Sequence, residues 1–171
     1  MGEKKYVSTR GNQEPLNFYE AILQGIGKDG GLLVPNFELE KKDLKALQYL
    51  DYVDMATEII SSFLDNKDKE DMRELCRQAY GTGLFPCEVV PVKKAGNVYI
   101  AELFQGPTAA FKDMALSLLP HFMTYSLKKK GEDREVLILA ATSGDTGKAA
   151  LEGFKDVEGT RIQVFYPVDG V

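Results

Sequence analysis

The chain has 171 residues, of which 44% are hydrophobic and 27% charged, and it carries a net charge of −5. That is the balance of a soluble globular protein of one ordinary domain or two small ones. The acidic balance speaks against a nucleic-acid or membrane-surface partner, and no stretch approaches the ~18 apolar residues of a membrane span.

Tyr6–Gly11 reads as a short strand running into a turn. After Pro15, Leu16–Gln24 has a helical apolar pattern, with Pro15 placed to suit the first turn and Gly25 to end it. Lys28–Gly31 is a further turn, and Leu32–Val34 closes on Pro35. Three more helices are expected at about 41–50, 51–64 and 68–80, the last with apolar positions Met72, Leu75, Cys76 and Ala79 and with Gly81 just beyond. The acidic residues Asp51, Asp54, Asp65, Asp68, Glu70 and Asp71 are scattered over helix faces and ends and read as solvated charge. Two cysteines, Cys76 and Cys87, and one histidine, His121, form neither a disulfide framework nor a metal-ligand spacing. Both thiols are expected to be reduced, which fits a cytoplasmic protein.

Gly81, Gly83, Pro86 and Pro91 mark a linker, so the chain divides near residue 90 into domains 1–90 and 91–171. Beyond it, Val98–Phe104 is a strand candidate that stops at Gln105-Gly106-Pro107. An apolar-periodic helix follows over 110–129, with Pro120 expected to kink or split it. Lys128-Lys129-Lys130 at its end suits the negative pole of the helix dipole. Val136–Ala141 is a continuous apolar run, as in a strand buried on both faces. A tight turn, a helix to Lys155 and a third strand at Arg161–Tyr166 complete the pattern. Strand, helix, strand, helix, strand predicts an α/β fold with a parallel sheet. Three strands are few for such a sheet, so the sequence is expected to end within a domain, leaving an uncovered sheet edge that predicts self-association through it or marginal stability.

Two loops have the residue types for chemistry. In the first, Gly106–Asp113, Lys112 stands where a helix begins. A cation there faces the positive pole of the helix, which lowers an amine's pKa as a Schiff-base lysine requires. An ordinary surface lysine lying over Phe111 is the alternative. In the second, Ala141–Gly147, small residues between an apolar strand and a helix let backbone N–H groups converge on an anion, and Ser143 and Thr146 add hydroxyls. Asp145 is expected either to cap that helix or to serve the site. Neither nucleotide motif is present. Thr142 stands where a P-loop or a dinucleotide fingerprint needs its first glycine, and Ala149 rather than Ser or Thr follows Lys148. The ligand is therefore a smaller carboxylate or phosphate, with Lys148 an exposed helix residue.

Together these stretches resemble the threonine synthase family, pyridoxal-phosphate enzymes of the tryptophan-synthase-β-like fold. Glu102–Asp113 (ELFQGPTAAFKD) resembles the family's cofactor-lysine segment, with Gln105 where histidine is common. Ala141–Ala150 (ATSGDTGKAA) resembles its substrate-carboxylate loop, and Tyr6–Gly11 with Asp29–Pro35 resembles the family's extra N-terminal domain.

The resemblance implies a mainly helical α+β module at 1–90, followed at 91–171 by the start of a three-layer, fold-type-II domain. It implies pyridoxal 5'-phosphate as cofactor, attached to Lys112 and displaced from it by the amine of O-phosphohomoserine. Lys112 would then shuttle protons while phosphate leaves the γ-carbon, water adds at the β-carbon and threonine is released. Thr142, Ser143, Gly144, Asp145 and Thr146 would grip the substrate α-carboxylate. Where many relatives of the fold have an asparagine contacting the cofactor hydroxyl, Asp145 stands here, and that role is not carried over. Family members are much longer, and their cofactor-phosphate loop lies downstream of these residues. The 171 residues alone are thus expected neither to retain the cofactor nor to turn over. The competing expectations are a non-catalytic interaction module and a related lyase that eliminates phosphate without making threonine.

Overall fold

The computed structural model describes residues 3–65, 68–81, 83–85, 88–142 and 144–167. Pro86 and Cys87 of the linker lie outside that description. Two compact units are formed, Met1–Cys76 with Tyr125–Asp133, and Arg77–Thr124 with Arg134–Val171.

The first unit starts with β1 (Tyr6–Ser8), paired antiparallel with β2 (Leu33–Pro35) so that Tyr6 faces Pro35 and Ser8 faces Leu33. Asp29 joins the two N-terminal motifs. It accepts from Ser8 Oγ at 2.6 Å and from the amides of Gly31 and Asn12 at 2.9 and 3.0 Å, while its carbonyl accepts from Arg10 at 3.0 Å. These bonds hold its carboxyl below the usual carboxylate range. Gly31 is needed there because a Cβ would stand 2.1 Å from Ser8 Oγ.

Helix α1 (Phe18–Gln24) begins later than Pro15 predicts. Asn17 accepts from the Glu20 amide, and Glu20 accepts from the Asn17 amide, a reciprocal cap that fixes the start more strongly than proline's φ preference. Gly25, at φ 73°, ends it. The helices α2 (Leu44–Leu47), α3 (Tyr52–Ile60) and α4 (Lys69–Tyr80) follow, α2 being much shorter than expected. Leu64, Met72 and Cys76 are fully buried at the centre of this unit.

Asp68 corrects the reading of solvated acids. Only 2% exposed, it accepts from Tyr19 and Tyr125 hydroxyls at 2.5 and 3.2 Å and from Lys129 Nζ at 2.9 Å. Burial works to raise its carboxyl, but the three donors outweigh it and hold the group below its ordinary range. Lys130 pairs with Glu20 at 2.8 Å. Lys129 and Lys130, at the end of α6 (Leu119–Lys130), are therefore committed to named carboxylates as well as to the helix pole.

In the second unit, β3 (Val92–Ala95) and β4 (Val98–Ala101) form an antiparallel hairpin with Val92 opposite Ala101. This corrects the expectation that Val98–Phe104 is the first strand of a parallel sheet. Gly96-Asn97 makes a two-residue turn, Gly96 at φ 61°, that folds the chain back on its immediate neighbour. The expected 110–129 helix is split into α5 (Asp113–Leu116) and α6, with Pro120 in the first turn of α6, where its missing donor costs little.

The strands β5 (Val136–Ala141) and β6 (Thr160–Phe165) are parallel, pairing Val136 with Thr160 through to Ala141 with Phe165, and α7 (Asp145–Phe154) connects them. This is one strand–helix–strand crossover. Its strands are covered on one face only. Leu137 and Leu139 are 56% and 63% exposed, against the expectation of a strand buried on both faces, because these residues supply no second helical layer.

Candidate functional site

The lysine loop is a closed ring of short-range bonds. Gly106-Pro107-Thr108-Ala109 is a turn secured by Ala109 N–H donating to Gly106 C=O at 3.1 Å. Asp113, 1% exposed, then reaches back to it, accepting from Thr108 N–H at 2.9 Å and from Thr108 Oγ1 at 2.6 Å. A Cβ on Gly106 would stand 2.5 Å from Asp113 Oδ2, so only glycine lets this carboxylate close the ring. Ala109 pays for the closure with φ 57°, a left-handed conformation that costs a non-glycine residue about 1–2 kcal/mol and persists only where its surroundings fix it.

Lys112 is the residue immediately before α5. It is half-buried, and its Nζ lies 4.8 Å from the centre of the Phe111 ring. Among the described residues no carboxylate pairs with it. The two expectations for this lysine are thus compatible in geometry, since its Nζ lies over an aromatic face and no carboxylate is paired with it among the described residues. Gln105 donates to Glu102 at 3.0 Å, and Glu102 also accepts from Lys93 at 2.8 Å.

The second loop leaves the end of β5. Thr142 N–H donates to Phe165 C=O at 3.0 Å, extending the strand pairing by one bond. Ser143 lies outside the described residues. Gly144 precedes α7 with open space around it, so a Cβ there would meet nothing within 4 Å. Asp145 is the first residue of α7, with Gly144 rather than Asp145 at the cap position, which corrects the cap expectation; it is exposed in the first turn, where its charge favours the helix pole. The amides of Asp145 and Thr146, as the first of the helix, have no intrahelical acceptor and are free to face an anion. Gly147 packs against Thr142, whose Cγ2 would stand 2.4 Å from a Cβ. A cleft of about 290 Å³ opens here, lined by Thr142, Gly144, Gly147 and Lys148 and by Leu151, Val164 and Tyr166. Lys112 does not line it.

The two loops are joined within the second unit. Lys148 Nζ donates to Thr108 C=O at 3.2 Å, and α5 packs on α7 so closely that a Cβ on Gly153 would stand 2.2 Å from Leu116 C=O. Lys148 is exposed, as its sequence position predicts, but it is not idle. The signal was there: a cation in the first turn of a helix is as poorly placed at Lys148 as at Lys112, and it needs a reason. His121 lies apart from both loops, in a hollow of about 380 Å³ with Gln78, Ser117 and Glu152. Burial pushes its imidazole down, favouring the neutral ring. Among the described residues no group of three or more metal-ligating side chains is present, and no helix is long and apolar enough to cross a membrane.

Comparison with known proteins gives the likeness of the chain as a whole. Residues 5–80 match the family described as threonine synthase N terminus. Threonine synthase of Pseudomonas aeruginosa is 37% identical over 169 residues, covering 95% of this chain and 35% of that protein. Human threonine synthase-like 1 is 36% identical over 165 residues, covering 90% of this chain and 22% of that protein. The crystal structure of PLP-bound threonine synthase from Brucella melitensis superposes with a TM-score of 0.86 at 36% identity, over 98% of this chain and 36% of that one. The chain thus spans about a third or less of the length of these relatives. Its sequence and its fold correspond to the N-terminal portion of threonine synthases.

Proposed function

We propose that this chain supplies the cofactor lysine and one wall of the substrate pocket of a pyridoxal-phosphate-dependent threonine synthase, which converts O-phosphohomoserine and water to threonine and phosphate. The observation that carries the reading is the Lys112 amine, set by a closed loop, unpaired among the described residues, and tied through Lys148 to the helix that opens the second loop. The donor set fits the cofactor on its aldehyde side, because an uncommitted amine is the group such a carbonyl needs.

When bound, pyridoxal 5'-phosphate supplies the electron sink that stabilises negative charge on substrate carbon. The chain's own residues do the rest. Lys112 would hold the cofactor through its Nζ and, as a free amine, would hold and move protons there. Thr142, Ser143, Gly144, Asp145 and Thr146 bind the substrate α-carboxylate through amides and hydroxyls at the start of α7. Fixing the carboxylate also fixes which bond at the α-carbon is broken, so proton loss is favoured over decarboxylation.

The division near residue 90 separates the part resembling the family's N-terminal domain from the part with this chemistry. The 171 residues alone do not turn over, since the resemblance assigns the cofactor-phosphate grip to a segment outside them. Handled by itself the chain self-associates through the uncovered β5–β6 sheet, whose exposed Leu137, Leu139 and Phe165 support this; sedimentation measures it. The buried free thiol of Cys76 fits a cytoplasmic location.

Borohydride reduction of the cofactor-loaded full-length enzyme, followed by peptide mapping, tests the lysine. The label belongs on Lys112 and disappears in Lys112→Ala; a label that survives the substitution removes Lys112 from the mechanism. Product analysis separates the synthase from the lyase that only eliminates phosphate, since only the first yields threonine.

A further inference from the structure

We propose that Lys148 is a positioning residue: its ammonium, bonded to Thr108 C=O, acts as a strut that sets the lysine loop against the first turn of α7. This rests on the reading of Lys112 as the cofactor lysine. Thr108 is the hub of the arrangement. Its N–H and Oγ1 both donate to Asp113, and its carbonyl accepts from Lys148 at 3.2 Å, so its three polar groups are all engaged. Two of those bonds are local and close the ring around Lys112. The third comes from 40 residues away and is the only one of the three that connects the ring to the second loop.

The neighbouring residue makes the placement consequential. Ala109, at φ 57°, follows Thr108 directly, and the peptide between them carries the carbonyl that Lys148 holds. Releasing that carbonyl frees the peptide to rotate toward a more relaxed backbone, and Lys112 lies three residues on from Ala109. Lys148 itself sits one position after Gly147, whose contact with Thr142 fixes the start of α7 against the end of β5. The strut therefore runs from the backbone that would grip the carboxylate to the backbone that would carry the amine. The chemistry requires these two to be held at one separation. A lysine suits the task because its stem spans the gap while the charge remains in water, and a charge-assisted bond to a carbonyl is stronger than a neutral one.

Amide hydrogen exchange and steady-state kinetics on the cofactor-loaded full-length enzyme that contains these residues test this, with Lys148→Met, Lys148→Gln and Lys148→Arg. Exchange over Gly106–Asp113 is expected to quicken about ten-fold in Lys148→Met, the effect of losing one charge-assisted bond. The kcat is expected to fall about ten-fold with KM changed by less than about two-fold, because the carboxylate grip is left intact. Lys148→Arg, which keeps a cationic donor, restores both. If Lys148→Met does not fold, Lys148→Gln carries the same expectation. Wild-type exchange in a folded Lys148→Met or Lys148→Gln overturns the strut. Absence of borohydride label on wild-type Lys112 instead overturns the functional reading, and with it the catalytic consequence of the strut.

Discussion

Among the charged residues that stand immediately before helices, Asp68 before α4 in the first unit and Lys112 before α5 in the second make the sharpest contrast. Asp68 is buried, and its carboxylate accepts from two tyrosines and a lysine. Lys112 is half-buried and has an aromatic face beneath it and no carboxylate opposite, among the described residues. The first charge sits at a helix pole that welcomes it and is fully paired; the second sits at a pole that opposes it and is left unpaired. A charge in a favourable place that has been satisfied holds a structure together. One in an unfavourable place that has been left uncommitted is available for reaction.

The contrast can be broken most directly at Lys112. In the full-length enzyme Lys112→Ala should lower turnover by about 10²–10⁴-fold from the loss of proton transfer alone, while the melting temperature of this chain stays near wild type because no ion pair among the described residues is lost. A large stability loss would place Lys112 with Asp68 as a structural charge.

At Asp68 the opposite is expected. Lys129→Met should destabilise the fold by about 2–3 kcal/mol, somewhat under the usual cost of breaking a buried pair, since Lys129 remains partly exposed. Chemical denaturation measures it. The pH dependence follows from the direction of the shift. The Asp68 carboxyl titrates lower in the folded than in the unfolded chain, so its contribution is present above the ordinary aspartate value of about 3.9 and is lost as pH falls through the folded value. Removing Lys129 takes away one of the donors that hold it down, so the acid limb of the stability curve should move to higher pH. An unmoved limb would show that the two tyrosines alone carry the shift.

Smaller effects sharpen the comparison within the second unit. Gly106→Ala should cost about 1–3 kcal/mol, because the added Cβ meets the Asp113 carboxylate, and it should speed exchange in the lysine loop. Asp145→Asn should cost only about 0.3–1 kcal/mol, the value of a charge near a helix N-terminus but outside its cap position. A loss well above that range, read by thermal denaturation, would mean that Asp145 holds more than the helix pole.

Much of this was legible in the residues, and the failures have physical causes. The position of Lys112 at a helix start, the break at Pro120 and the β5–α7–β6 crossover follow from local rules, because proline's missing donor and the strand-to-helix change of period act over a few residues. The hairpin was legible too, in Gly96-Asn97, but Val92–Ala95 is short and half lysine, and its strand character depends on its neighbour. Asp68 could not be read as buried. Its partners Tyr19, Tyr125 and Lys129 are 49 to 61 residues away, and nothing in the local pattern announces them. Lys148 and Thr108 are likewise separated by 40 residues. Sequence pattern reports which face of an element is apolar, whereas a single polar partner at long range leaves no period to find.

The buried positions of α7 include Gly147, Ala149 and Ala150, and Gly153 meets Leu116 C=O with no room for a methyl group. This face works as a gauge block. The second loop and the lysine loop are spaced by the thickness of a helix side from which side chains have been pared away, and that thickness can only grow. Each methyl added along the face would push one loop from the other by a fraction of a bond length. Variation at these positions should therefore register as mistuned geometry at the site well before it registers as an unfolded protein.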